Sequence, residues 1–238
     1  MRNLLILTTM LLCLTIISLP ALGDVIFQDD FEAENLNDAP ANWINVDPGN
    51  PGTTGVIAQD PQDVANQVIE ITALDAANVL VADIDELMEY TAEWDWMWES
   101  GWQTIAIHTQ ADGSRYHLSV NTDGGNWEMW SWDAGNWGGA FVVGDPAQEV
   151  NVWHRFQLTV NQAHITLKAK PRDEATPFDA LDTVLEMNGE NAAYTRGRFG
   201  FADGPVSYID NVMIYVGSPA SVSSNGKLST TWGDLKRY

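Results

Sequence analysis

Apolar and polar side chains alternate strictly over residues 90–99 of this chain. Tyr90, Ala92, Trp94, Trp96 and Trp98 share one parity, and the other parity is acidic or polar apart from one methionine. Successive side chains of a β-strand point to opposite faces, so this pattern predicts a strand. One face of that strand is expected to pack indole rings into a core, and the other face to present carboxylates.

Shorter alternating segments recur along the chain, and Gly, Pro, Asn and Asp separate them. Turns are clearest at residues 111–113, 122–125 and 161–162, and only residues 83–88 suggest a helical turn. About a dozen short strands joined by tight turns predict an all-β fold, a two-sheet antiparallel sandwich. The predicted strands are 25–31, 43–46, 56–59, 67–72, 78–82, 90–98, 103–109, 115–120, 127–132, 140–143, 152–160, 164–170, 198–202 and 207–216.

The N-terminus has the pattern of a secretory signal peptide. A short basic start precedes an apolar run over residues 4–19, and small residues follow up to Gly23. We therefore expect residues 1–23 to be removed, with a single N-terminal anchor helix as the alternative. The one cysteine, Cys13, lies inside this segment, so the exported chain would have no disulfide. Residues 24–216 are predicted to form one domain, and residues 217–238 a linker with a short basic tail.

The strongly negative charge of the chain disfavours some classes of binding partner and favours others. The net charge is −22, and removal of Arg2 with the signal segment makes it −22 − 1 = −23. Such a surface repels nucleic acid and anionic membranes. It favours neutral glycans, cationic partners or hard divalent cations, although an adaptation for solubility would also explain it. No later segment is long and apolar enough to cross a bilayer.

Several motifs, in order, resemble those of the concanavalin A-like (laminin G-like jelly-roll) superfamily. They are residues 27–32 followed by Trp43, then residues 153–160, residues 197–202 and residues 208–215. The resemblance covers nearly all of residues 25–216 and implies a jelly-roll sandwich. Because this fold hosts lectins, adhesion modules and hydrolases, it implies no single function.

Laminarinase- and lichenase-type hydrolases with this fold carry three acidic residues on one strand. Glu93 and Asp95 match the first two positions, but the third falls on Met97 or Trp98. Retaining hydrolysis needs two carboxyl groups about 5–5.5 Å apart. Glu99 is six residues from Glu93, roughly 20 Å along an extended strand. A hydrolase with an altered acid/base, using Glu93 and Asp95, is therefore the alternative to a non-catalytic module.

Tryptophans near turns are the candidates for a sugar-binding platform, because an indole face stacks on the C–H groups of a sugar ring. Trp94 and Trp96 are predicted to be core, and Trp127 and Trp130 have opposite parity, so they should not both be inside. The candidate platform is Trp98, Trp102, Trp127 and Trp137, with Asn126, Asp133, Asn136 and Tyr116 as polar or aromatic neighbours.

The resemblance also implies a structural calcium ion that ties the first strand to the last. The matching oxygen donors are Asp29, Asp30, Glu32 and Asp210. Solvated carboxylates or turn caps are the alternative for these residues. The four histidines lack metal-ligand spacing.

Together these observations predict a secreted bacterial module, non-catalytic, that binds a neutral polysaccharide or glycan. A structural or adhesion module at the cell surface without a small-ligand site is the alternative, with the tail serving attachment or sorting. The sequence does not fix the oligomeric state.

Overall fold

A computed structural model describes residues 23–46, 55–72, 79–202 and 204–217. Two eight-stranded antiparallel sheets account for nearly all of its regular structure, with one 3₁₀ turn at Phe178–Ala180. The all-β, two-sheet antiparallel sandwich predicted from the alternation is confirmed. Within the described residues, no helix has the length and apolar character needed to span a membrane.

The first sheet contains the aromatic strand at its centre. Its strand order is β14-β13-β12-β6-β16-β4-β3, and β1 also pairs with β16. The bounds are β1 Asp24–Asp29, β3 Gly55–Gln59, β4 Gln67–Ile71, β6 Glu89–Trp98, β12 His154–Asn161, β13 His164–Pro171, β14 Leu185–Asn188 and β16 Ser207–Val216.

The second sheet packs on the first and has the order β10-β9-β8-β7-β15-β5-β2, with β11 also paired to β9. Its strands are β2 Trp43–Asn45, β5 Val79–Ala82, β7 Trp102–Thr109, β8 Arg115–Asn121, β9 Asn126–Asp133, β10 Asn136–Trp137, β11 Val142–Pro146 and β15 Arg198–Ala202.

The core between the sheets is built from aromatic rings. Trp94, Trp96 and Trp98 of β6 are fully buried, as the alternation predicts for this parity. Phe156 of β12 lies within ring-contact distance of all three indoles, and its ring stacks on that of Trp94 with 5.5 Å between centroids. Trp127, from β9 of the second sheet, meets the same cluster edge-on at Trp98. The two sheets are therefore joined through indole and phenyl rings.

Three details of the fold differ from the prediction. The helical turn predicted at residues 83–88 is wrong: this segment runs without helix to Leu87, which forms an isolated bridge with Gly197. Strand β14 was not predicted because its alternation spans only four residues. Strand β10 lies in a segment expected to be a loop. Residues 1–22 and 218–238 of the predicted signal and tail segments lie outside the described residues.

Candidate functional site

Strand register brings three tryptophans together on the outer face of the second sheet. Arg115 pairs with Trp132, and His117 pairs with Trp130, across β8 and β9. Trp132 also pairs with Trp137 across β9 and β10. Directly opposed residues of antiparallel strands point to the same face. We call Trp130, Trp132 and Trp137 the tryptophan platform.

A tight hairpin sets the position of Trp137 in this platform. Ala134 and Gly135, which join β9 to β10, both have positive φ values, of 43° and 93°. Two successive residues in this region form the turn that matches the twist of a two-residue hairpin. The Asn136 side-chain amide donates to the Asp133 carbonyl at 3.1 Å and closes the turn. The hairpin thereby fixes Trp137 opposite Trp132.

Trp137 is the most accessible member of the platform, with half of its surface exposed. Its ring meets those of His117 and Trp132 edge-on, with centroids 4.6 and 4.7 Å away, and Trp130 at 6.1 Å. The Arg115 guanidinium lies 5.4 Å from the Trp132 ring centroid, within the range of a cation–π contact. Trp137 is therefore supported by neighbouring rings while a large part of it faces solvent.

Polar groups adjoin the platform and are held by hydrogen bonds. The Trp130 indole N–H donates to a Glu128 carboxylate oxygen at 3.1 Å, which fixes both side chains. The Thr104 hydroxyl lies 3.0 Å from His117 Nε2 and donates to the Ser119 hydroxyl at 3.2 Å. Glu128 is partly exposed, whereas the Thr104, His117 and Ser119 group is buried. The accessible surface thus combines aromatic faces with a positioned hydrogen-bond acceptor.

The predicted ligand-binding residues divide into exposed and buried groups. Asp133, Asn136 and Trp137 lie on the β9–β10 hairpin at the platform. Trp102, 44% exposed, and Asn126 lie at the other end of the same sheet.

The prediction that Trp98, Trp127 and Tyr116 line a ligand surface is wrong, because all three are fully buried in the core. Each shares its parity with core residues of its own strand: Trp98 with Trp96, and Tyr116 with Leu118. The direction of these three side chains therefore follows from the alternation along each strand, and not from closeness to a turn. Trp127 and Trp130 do face opposite ways, as predicted, with Trp130 partly exposed.

Five residues of the site were not predicted: Arg115, His117, Glu128, Trp130 and Trp132. The signal was present in β8 and β9, where Arg115, His117 and Ser119 form the polar parity opposite Tyr116 and Leu118. A strand with one polar and one apolar parity turns its polar side chains away from the core. The partners of these residues depend on strand order, which the sequence alone does not supply.

A second polar cluster lies on the outer face of the first sheet, around the carboxylates of β6. Arg155 forms ion pairs with Glu93 at 3.3 Å and with Asp95 at 3.6 Å. The Gln157 amide and the Tyr215 hydroxyl both donate to Glu93 Oε1, at 2.9 and 2.8 Å. These contacts occupy the two carboxylates that a hydrolase would need.

The electrostatics of this cluster follow from burial. Burial raises the pKa of Asp95, and the nearby Arg155 guanidinium opposes that rise. Burial alone would lower the pKa of Arg155, but the Asp95 and Glu93 carboxylates outweigh it and raise the value. Burial, together with the Glu93 charge, also raises the pKa of Tyr215. The cluster adjoins a cavity of about 300 Å³ lined in part by Asp95, Arg155 and Asn211.

The predicted calcium donors accept hydrogen bonds from other groups of the protein. Asp29 accepts from the Phe31 backbone N–H at 3.1 Å and from the Trp43 indole at 3.1 Å. Asp30 and Glu32 accept from backbone N–H groups, at 3.4 and 3.3 Å. Asp210 accepts from the Asn66 amide at 3.0 Å. No group of three or more acidic or histidine side chains suited to a metal ion occurs among the described residues. Calcium binding stays a prediction.

Comparison with known proteins gives similarity of fold without similarity of sequence. No family model matches the chain, and no curated protein matches it. Among solved structures, a carbohydrate-binding module, CBM66, from Bacillus subtilis superposes with a TM-score of 0.54 at 12% identity. The alignment covers 76% of this chain and 98% of that one.

Two further structures show the same architecture. Domain 4 of AbnA, a GH43 extracellular arabinanase from Geobacillus stearothermophilus solved with arabinotriose, has a TM-score of 0.50 at 14% identity, covering 84% of this chain and 97% of that one. A Bacillus subtilis protein of unknown function with a galectin-like fold has a TM-score of 0.51 at 11% identity, covering 81% and 96%. This chain therefore shares the two-sheet jelly-roll fold of these structures, which is the fold that the resemblance of the sequence motifs implies.

Proposed function

We propose that this protein is a secreted, non-catalytic module that binds a neutral carbohydrate on the tryptophan platform. The observation that carries the proposal is the half-exposed indole of Trp137, held against two other tryptophans beside the partly exposed carboxylate of Glu128. An indole face packs against the C–H groups of a sugar ring, and a fixed carboxylate accepts hydrogen bonds from its hydroxyls.

Charge favours an uncharged ligand. The chain has a net charge of −22, and Glu128 and Asp133 lie at the platform. A polysaccharide of uronic acids or sulfate esters would be repelled by this field, whereas a neutral glycan would not. The carbohydrate-binding module and the arabinanase domain of similar fold support the general class of ligand, although identity of 12–14% carries no specificity.

The surroundings of Glu93 and Asp95 support a non-catalytic role. Arg155, Gln157 and Tyr215 occupy the Glu93 oxygens, and Asp95 is buried. A nucleophile or acid/base must approach the sugar directly. The signal-like pattern of residues 1–23 supports export, and N-terminal sequencing of the secreted protein would test the cleavage near Gly23.

Calorimetric titration of protein beginning at residue 24 with neutral polysaccharides tests the proposal. We expect Trp137→Ala to weaken binding by about tenfold or more, since tryptophans dominate many binding surfaces. Its fold should be preserved because the side chain is half exposed. Met88→Ala is the matched control, because Met88 is an exposed apolar residue outside the platform, and it should bind like the unaltered protein.

Two results would refute the proposal. One is that the unaltered protein binds none of the neutral polysaccharides, and the other is that Trp137→Ala binds them as tightly as the unaltered protein. Release of reducing ends from a β-glucan, lost in Glu93→Gln, would show instead that the protein is a hydrolase.

A further inference from the structure

We propose that the carbohydrate is a linear chain that runs along the outer face of the second sheet from Trp137 to Trp102. This inference rests on the proposed function and adds the length and path of the ligand. It follows from the placement of the exposed aromatic residues on one face of one sheet.

Register places Trp102 on the same face as the platform. Trp102 pairs with Asn121, and Thr104 pairs with Ser119, across β7 and β8. The hydrogen bond from the Thr104 hydroxyl to the Ser119 hydroxyl, and the approach of Thr104 to His117, confirm that this parity faces outward with His117. Since alternate residues share a face, Trp102 projects from the side of the sheet that carries the tryptophan platform.

The two exposed indoles lie at opposite ends of this face. Asn121, opposite Trp102, and Arg115, opposite Trp132, are six residues apart on β8. His117, whose ring centroid lies 4.6 Å from that of Trp137, is four residues from Asn121. Four to six residues of extended strand measure roughly 13–20 Å. A single sugar ring is too small to contact indoles at both ends. A ligand that uses both must be a chain.

Accessible groups line the path between the two ends. Asn126 is exposed and Glu128 partly exposed, and both lie on the outward parity of β9 with Trp130. Val143 of β11 pairs with Glu128 and is 60% exposed. The Asn126 amide donates to the Gly144 carbonyl at 2.9 Å, which holds this side chain at the β9–β11 edge. Apolar and hydrogen-bonding surface therefore continues from one indole towards the other.

The concentration of exposed apolar residues on this face supports a ligand of that length. Trp102, Trp137 and Val143 all project from it. Isolated exposed apolar residues need no explanation. These three share one face of one sheet, so a single extended ligand can contact all of them. Two separated aromatic faces with polar groups between them suit a repeating ligand, whose rings are apolar and whose hydroxyls are polar.

Calorimetry with ladders of cello-, xylo- and arabino-oligosaccharides, from disaccharide to hexasaccharide, tests the length of the ligand. We expect the affinity to rise with chain length and to level off once the chain spans both indoles. Trp102→Ala should weaken binding of the longest chains about tenfold and leave the shortest unchanged. Trp102→Phe, which keeps an aromatic face, should recover part of the loss. Val64→Ala, at an exposed apolar residue of a loop between β3 and β4, is the control.

The outcomes separate this inference from the proposed function. If a disaccharide binds as tightly as a hexasaccharide, and Trp137→Ala still weakens binding, the site is short and this inference fails alone. If length matters but Trp102→Ala has no effect on long chains, the chain takes another path and the inference also fails. If no oligosaccharide or polysaccharide binds, the proposed function fails and this inference with it.

Discussion

Arg155 lies between two carboxylates, one of them almost fully enclosed. Asp95 is 2% exposed, and its Oδ1 is 3.6 Å from the guanidinium, while Glu93 is 3.3 Å away. The Asn211 amide donates to the other Asp95 oxygen at 2.9 Å. Asn211 reaches it from a bulge in β16, where its φ is 51°. Side chains of the neighbouring strands thus partner the Glu93 and Asp95 carboxylates.

We expect Arg155→Ala to destabilise the protein by about 1–3 kcal/mol, because it leaves Asp95 as a buried charge without its cation. The expected loss of stability is smaller than that on breaking a fully buried ion pair, because the Arg155 side chain is 29% exposed. Chemical denaturation at neutral pH measures it. Arg196→Ala is the matched control: Arg196 pairs with Glu86 at 3.0 Å on the surface, and its loss should cost less than about 1 kcal/mol.

The deficit of Arg155→Ala should depend on pH in a definite direction. Burial raises the pKa of Asp95 in the folded protein. Ionisation of Asp95 therefore destabilises the fold as pH rises from the pKa of Asp95 in the unfolded chain to its higher pKa in the folded protein. Arg155 offsets that cost only when Asp95 is ionised. Removal of Arg155 raises the pKa of Asp95 further, so the difference in stability between the two proteins should shrink as pH falls through the pKa of Asp95 in the variant. It should level off below the pKa of Asp95 in the unaltered protein. A deficit that is equal at neutral and acidic pH would contradict this account of the pair.

Strand β6 determines much of the fold at the scale of elements. Trp94, Trp96 and Trp98 face the second sheet, and Trp96 contacts Trp127 and Phe201 from that sheet. The indole nitrogens of the three β6 tryptophans have no hydrogen-bond partner among the residues that the structure describes. Their contribution to stability is therefore one of apolar area and ring packing rather than of hydrogen bonds.

We expect Trp96→Ala to lower the free energy of unfolding by about 3–5 kcal/mol, because it opens a cavity between the two sheets. Trp137→Ala removes the same side chain from a half-exposed position and should cost far less. Urea denaturation of both variants measures the contrast. Similar losses for the two would mean that the core is not centred on β6.

Alternation alone predicted most of the fold. The strand predicted at residues 90–98 is observed as Glu89–Trp98, and that predicted at 198–202 as Arg198–Ala202. The strands that were not predicted are too short to show an alternation of apolar and polar residues, such as the two residues of β10. A short strand forms because an adjacent strand supplies its hydrogen-bond partners. The sequence of the short segment itself does not show which strand will be adjacent.

The candidate site was harder to predict than the fold. Trp137 and Trp102 were correctly expected to be accessible. Trp98 was assigned to the surface because a turn is near, and Trp127 because Trp127 and Trp130 should not both be inside. The direction of a side chain follows from its parity, which the sequence contains. The ring contact between His117 and Trp137 depends on the strand order β10-β9-β8. The sequence does not contain that order.

The charge of −22 acts on the whole molecule. Carboxylates that repel one another in the compact state destabilise it, and salt screens that repulsion. We expect the melting temperature to rise as ionic strength increases from about 0.01 to 0.15 M, over which the Debye length falls from roughly 30 to 8 Å. Differential scanning calorimetry measures this. A melting temperature that falls with salt would show that attractive ion pairs outweigh the repulsion.

The same salt series discriminates between classes of ligand. Affinity for a neutral glycan should stay constant, because binding brings no new charge to the protein. Affinity for an anionic polysaccharide would instead increase with salt as repulsion is screened. Such an increase, with stronger binding than any neutral glycan, would contradict the proposed specificity.

The most direct test of the central claim is the NMR spectrum of the tryptophan indole N–H groups during titration with a bound neutral oligosaccharide. The tryptophan platform predicts that the signals of Trp137 and Trp130 shift as ligand is added. Those of Trp94, Trp96 and Trp98, enclosed between the sheets, should stay in place. Saturable binding that leaves Trp137 and Trp130 unmoved would contradict the account.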